Sequence, residues 1–177
     1  ESRVIFFGRL ERGKGVDILL DAWKSVEGAL TSAELIIAGG GSAQTFFETR
    51  ARDLGLGRVR FTGRYERSML DALLGQAAVS VHPSLWHENS PYTVRESLLA
   101  GVPAIVSNVG GMPELVGPET GAVTPPGDPA ALGRAILAEL RRGSAGTTVL
   151  REAVALRAVS ENYHLEGLEG LYNAARS

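Results

Sequence analysis

The feature that most constrains the fold is an alternation of two hydrophobic periods. Residues 4–7 (VIFF), 35–38 (LIIA), 59–62 (VRFT), 79–82 (VSVH) and 104–107 (AIVS) are short runs rich in β-branched and aromatic residues. Several are apolar at every position, which implies burial on both faces, as in the interior of a parallel sheet. Between them lie stretches of helical period. Residues 17–26 place Ile18, Leu19, Ala22, Trp23 and Val26 on one stripe, and 44–54, 67–76 and 93–100 also read as helices. Gly101 has the position of a glycine that ends a helix, with Pro103 just beyond it. Asp128 is placed to cap a last helix that runs to about Arg142. Strand–helix alternation with short connections predicts an α/β fold, a Rossmann-like doubly wound parallel sheet flanked by helices.

At 177 residues the chain has room for one such domain and its core, which the pattern places at about residues 3–142. The segment 147–177 contains no proline and carries Tyr163, Leu165, Leu168, Leu171 and Tyr172 as a loose apolar set. It reads as a helical tail, packed either on this domain or on another. Lys and Arg number 18 against 20 Asp and Glu, a balance that gives no reason to expect a nucleic-acid partner. No apolar run is long enough to span a bilayer, and the first residues lack the pattern of a secretory leader. The absence of cysteine excludes disulfides and thiolate metal sites and fits a cytoplasmic setting. The opening ESRVIFF, with no initiator methionine and a strand starting almost at once, is expected of a piece of a longer chain.

After the first apolar run comes Gly8-Arg9-Leu10-Glu11-Arg12-Gly13-Lys14-Gly15, one residue short of the P-loop pattern G-x-x-x-x-G-K-[ST]. Gly15 stands where a magnesium-binding hydroxyl belongs, and no candidate strand is followed by the Asp that would hold the metal. Gly39-Gly40-Gly41-Ser42-Ala43-Gln44 likewise misses the third glycine of a dinucleotide fingerprint and reads as a tight strand-to-helix turn. What remains is Arg9 and Lys14 on one glycine-flanked turn. They are either two solvated cations or a pair converging on a diphosphate, Arg as a fork and Lys as a point charge.

A second constellation is His87-Glu88-Asn89-Ser90-Pro91-Tyr92-Thr93-Val94-Arg95-Glu96. Ser90 is expected as a helix cap with Pro91 at the first helical position, which aims the amides of Tyr92 and Thr93 at an anion. Glu88 precedes that helix and Glu96 lies in its second turn. Carboxylates beside an anion site make sense if the ligand also carries hydroxyls. A capping box from Thr93 to Glu96 is the purely structural alternative. His82, at a strand end, and His87, in a loop, are given no acid–base role.

The order of GRL…KG, LIIAGGG, VRFTGRY, ENSPYTVRE and AGVPAIVSNVGGMPELV resembles the C-terminal domain of glycosyltransferase family 4, over residues 3–140. These are retaining enzymes of the GT-B fold that use nucleotide sugars. The resemblance implies a donor-binding domain whose partner is a UDP-, GDP- or ADP-sugar, with no cofactor and no metal. It implies that Arg9 and Lys14 grip the donor diphosphate and that Glu88 contacts hydroxyls of the transferred hexose. Glu96 would accept from the ribose hydroxyls. The backbone of Asn89, Ser90, Pro91, Tyr92 and Thr93 would meet sugar and phosphates, and Gly63 and Arg64 would edge the base pocket, with Gly8 under the donor. Asn89-Ser90-Pro91 replaces the glycine-bearing run common after the first Glu, so the amides that touch the donor are open. The resemblance further implies an N-terminal acceptor domain outside these residues and allows peripheral attachment of the full-length enzyme to a membrane surface. On this reading the isolated chain transfers no sugar. A stand-alone nucleotide-binding or scaffolding domain is the competing expectation, and a sugar-nucleotide epimerase lacks a placeable carboxylate set.

Overall fold

The computed structural model describes residues 2–88 and 91–142; the proposed tail at 147–177 lies outside them. Six strands form one sheet: β1 (Arg3–Phe7), β2 (Glu34–Ala38), β3 (Val59–Gly63), β4 (Ala77–His82), β5 (Ala104–Ser107) and β6 (Gly121–Thr124). All pairings are parallel and the spatial order is β3-β2-β1-β4-β5-β6. The five strands read from sequence are present; β6 is a sixth that the sequence reading missed. It is an edge strand of four residues in which Val123 faces solvent, so it lacks the continuous apolar signature of the central strands.

Helices α1 (Val16–Ala29), α2 (Gln44–Asp53) and α5 (Pro129–Arg142) cover one face, and α3 (Arg67–Gln76) and α4 (Tyr92–Leu99) the other. The strand period of two divides the core between these layers. Val4, Phe6, Leu35, Ile37, Val79, Val81 and Ile105 pack with Leu19, Trp23, Val26, Phe47 and Ile136. Ile5, Phe7, Ile36 and Ala38 pack on Leu70 and Leu74 of α3, while Ala104 and Val106 pack on Val94 of α4. The expected stripe of α1 is the buried one: Leu19, Ala22, Trp23 and Val26 are inaccessible and Ile18 is half-buried. Asp128 Oδ1 accepts from Ala131 N at 2.9 Å, capping α5 as its sequence predicts. Gly101, at φ +70°, closes α4 by donating to Leu98 O.

Strand order reverses between β1 and β4, the pair at the centre of the sheet. Chain leaving β1 turns one way and chain leaving β4 the other, so a crevice opens beyond their carboxyl ends. The loops carrying the proposed site residues meet there.

Candidate functional site

The loop after β1 is held by backbone on both sides. Gly8, at φ +144°, donates to Ala38 O, Leu10 N donates to Gly40 O, and Ala43 N returns a bond to Leu10 O. Gly39, also at φ +144°, lies so close to this loop that a Cβ there would sit 1.8 Å from Gly8 O. On the other side a 3-10 turn, Arg12–Lys14, ends at Gly15 with φ +69°, where a Cβ would meet Pro83 O at 1.9 Å. Gly15 is therefore fixed by conformation and by contact with the loop after β4. Between them, Gly13 lies under the ring of Trp86 and accepts a hydrogen bond from Leu85 N. Lys14 is thus carried on a turn clamped between the loops that follow β2 and β4.

This geometry opens a cleft of about 240 Å³ lined by Gly8, Arg9, Lys14, His82, Ser84, Glu88, Pro91, Tyr92 and Thr93, with Phe6, Phe7 and Met112. Lys14 Nζ donates to Glu88 Oε1, and Ser84 Oγ lies 3.3 Å from the same oxygen. The main chain of Glu88 is set from the loop after β5. Gly111 N donates to Glu88 O at 2.9 Å, and Gly110, at φ +59°, packs against it with no room for a side chain. Arg9 lines the same cleft, its side chain 71% exposed, with a 3.3 Å contact to Glu11 among the described residues.

Helix α4 starts one residue later than its sequence suggests. Pro91 is its N-cap, with extended backbone (φ −74°, ψ 91°), and Tyr92 is the first helical residue. The reason is visible in the bonding: Val94 N and Arg95 N both donate to Pro91 O, so the helical ladder begins at the proline carbonyl. The amides of Tyr92 and Thr93 precede that first bond, and both residues line the cleft. Thr93 is inside the helix and makes no side-chain cap, which removes the capping-box alternative for Glu96. Asn89 and Ser90, proposed as donor contacts, lie outside the described residues.

A second, more open cleft of about 500 Å³ adjoins the first through Gly8 and Arg9 and is lined by Glu11, Gly39, Gly40, Gly41, Arg64 and Tyr65. Arg64 stands over Gly40, where a Cβ would meet its side chain at 2.9 Å. Gly63, the last residue of β3, accepts from Gly39 N at 2.8 Å and so ties the two loops together. Glu96 is a lining residue of neither cleft. It receives Arg67 NH1 at 2.5 Å, and Arg67 also reaches Asp71. Its charge is felt by Tyr65, whose hydroxyl pKa is raised first by burial and then by Glu96, with Arg67 opposing.

His82 ends β4 on the α4 side of the sheet, buried, with its ring edge-on to Phe7. Burial, and secondarily the Lys14 ammonium, push its pKa down to about 3, so the ring is neutral at physiological pH. The structure therefore brings Arg9, Lys14, Glu88, Tyr92 and Thr93 to one cleft and Arg64 to its neighbour. Ser84, Trp86, Gly110 and Gly111 position these groups and were not singled out from sequence. The proline–serine after β4 and the paired glycines after β5 were the available signals. Among the described residues no three His, Asp or Glu side chains cluster as a metal site requires, and no helix is long and apolar enough to cross a membrane.

Two adjoining clefts, cations beside a helix N-terminus, and the Glu88 carboxylate among them suit a ligand that is anionic in one part and hydroxylated in another. The sequence model of the family described as glycosyl transferases group 1 matches residues 1–142. Glycogen synthase of Mycobacterium tuberculosis is 33% identical over 137 residues, which is 76% of this chain and 33% of that protein. Phosphatidyl-myo-inositol mannosyltransferase of Mycobacterium leprae is 32% identical over 152 residues, 84% of this chain and 38% of that one. Among solved structures, Anabaena Alr3699/HepE in complex with UDP-glucose superposes with a TM-score of 0.76 at 25% identity, covering 95% of this chain and 48% of that one. The six-stranded sheet with its flanking helices matches the C-terminal half of GT-B structures. The chain spans about a third of the length of the curated relatives it matches.

Proposed function

The chain belongs to the glycosyl transferases group 1 family, and from that premise we propose that it is the donor-binding domain of a retaining, metal-independent enzyme that transfers a hexose from a nucleotide sugar to an acceptor. The observation that carries this reading is the switch-point cleft, where Arg9, Lys14 and the first amides of α4 converge beside Glu88. The solved relative in complex with UDP-glucose supports a ligand of this class.

In this reading the diphosphate lies between Arg9, Lys14 and the N-terminus of α4. Cleavage of the bond between the sugar and the diphosphate leaves a nucleoside diphosphate with increased negative charge. Fixed cations and oriented amides stabilise that charge most where it develops, which lowers the barrier. Glu88, held by Lys14, Ser84 and the Gly111 amide, accepts from hydroxyls of the transferred sugar. The nucleoside extends into the second cleft, over Gly39–Gly41 and beside Arg64 and Tyr65. Glu96 accepts from the ribose hydroxyls, exchanging or sharing its present partner Arg67. The acceptor and the second half of the catalytic cleft belong to a further domain, so this chain alone binds donor and transfers nothing.

Titration calorimetry with UDP-glucose, GDP-mannose and ADP-glucose tests the proposal. Saturable binding of one of them, unaffected by a chelator, is the expected result. No binding of any, or binding that requires a divalent cation, overturns it.

A further inference from the structure

Strand β4 puts Ser80 and His82 on the face that packs against α4, where an apolar pair would be the simpler filling. His82 Nε2 lies 3.1 Å from Ser80 Oγ and 3.3 Å from Ser97 Oγ, and all three side chains are buried. Each serine hydroxyl has a carbonyl to donate to: Ser80 Oγ to Pro103 O at 3.2 Å, and Ser97 Oγ to Thr93 O at 3.0 Å. A hydroxyl has one proton. With both protons directed to carbonyls, the two oxygens can only accept from the histidine, so the hydrogen-bond network assigns the proton to Nε2. The neutral ring then has a bare lone pair on Nδ1. Nδ1 has no hydrogen-bond partner among the described residues, and the ring lines the cleft shared with Lys14 and Glu88.

We infer that His82, locked by Ser80 and Ser97 as the Nε2–H tautomer, presents Nδ1 as a fixed hydrogen-bond acceptor for a hydroxyl of the donor sugar and so helps to select which hexose the cleft takes. The inference rests on the reading of this cleft as the donor site. A neutral acceptor suits the position, because a protonated ring would repel Lys14 and could only donate. An acceptor fixed by two buried hydroxyls discriminates by hydroxyl position, since a sugar lacking a hydroxyl there leaves Nδ1 desolvated and unpaired.

The test compares each nucleotide sugar with its matched nucleoside diphosphate on the full chain, for wild type, His82→Phe and His82→Gln. His82→Phe is expected to leave diphosphate affinity unchanged and to lower the preference for the sugar-bearing ligand by about 3- to 10-fold, the size of one neutral hydrogen bond. His82→Gln, which retains a donor and an acceptor, is expected to restore part of it. Ring ¹⁵N resonances of the wild-type chain provide a readout independent of folding of the variants. They should show a neutral Nε2–H ring whose Nδ1 signal moves with nucleotide sugar and not with diphosphate alone. An unchanged preference in His82→Phe, a parallel loss of both ligands, or a proton on Nδ1 overturns the inference while leaving the donor-site reading intact. A wild-type chain that binds neither ligand overturns both.

Discussion

Lys14 and Glu88 form the contact on which the proposed donor site depends, and separating their roles is the most informative perturbation. Their side chains retain 21% and 24% of their exposure, so the pair lies between an open surface ion pair and a buried one. Exposed pairs contribute about 0.2–1 kcal/mol, whereas stripping one partner from a buried pair costs about 3–5 kcal/mol. Lys14→Met and Glu88→Gln should each therefore cost roughly 1–2 kcal/mol, with a coupling energy near 1 kcal/mol in the double variant. Ser84 and the Gly111 amide keep Glu88 placed in the absence of Lys14, which holds the loss below the buried limit. Urea unfolding of the four proteins measures the cycle. Nucleotide binding should then divide the two single variants. Lys14→Met should weaken nucleoside diphosphate binding by about 10- to 100-fold, the value of a charge-assisted hydrogen bond. Glu88→Gln should leave it unchanged or tighter, because it removes a negative charge beside the diphosphate. Stabilities that add within about 0.3 kcal/mol, or equal losses of diphosphate affinity in both variants, would refute the reasoning.

Three further outcomes follow from the packing and the charge. Gly39→Ala places a side chain at φ +144° against Gly8 O and should cost more than about 2 kcal/mol in thermal or urea unfolding; an unperturbed midpoint contradicts the close approach of the two loops. Trp86→Ala removes a ring that is 52% exposed but covers Gly13, so diphosphate affinity should fall several-fold while stability drops by only about 1 kcal/mol. His82 has a folded pKa below its unfolded value, so the unfolded chain binds the extra proton as pH falls. The stability of the neutral buried ring is complete above about pH 6.5 and is lost progressively towards pH 3. His82→Phe should flatten that limb by up to about 1.4 kcal/mol per pH unit, and an identical slope in urea titrations across the window contradicts the assignment.

The parts of this molecule that could be read from sequence are those whose cause is local. VIFF and LIIA announce two-sided burial because each is an interior strand paired on both edges, with helices on both faces. β6 has neighbours on one side only and exposes Val123, so its four residues carry no such signal. The same division holds in the site. Arg9 and Lys14 share one glycine-bounded turn, and Glu88 and Glu96 flank one helix start. The partners that fix them come from elsewhere in the chain: Gly111 from beyond β5, Trp86 onto Gly13, and Arg67 from α3 onto Glu96. The Ser80–His82–Ser97 network joins a strand to a helix that precedes the next strand, and no spacing rule points to it. The start of α4 was displaced by one residue because proline suits both the N-cap and the first turn, and only the bonds to its carbonyl distinguish them.

The central claim is that a nucleoside diphosphate occupies the two clefts with its phosphates at Arg9 and Lys14, and that Glu96, which lines neither cleft but acts electrostatically on Tyr65 of the second, turns from Arg67 to reach the ribose. The most direct measurement is calorimetric binding of the matched nucleoside diphosphate and its dideoxyribose analogue to wild type, Arg9→Ala and Glu96→Ala. Arg9→Ala should weaken both ligands by about 10-fold, as expected for a lost charged contact. Glu96→Ala should weaken only the ribose form, down to the affinity of the analogue. Unchanged affinity in both variants would contradict the account.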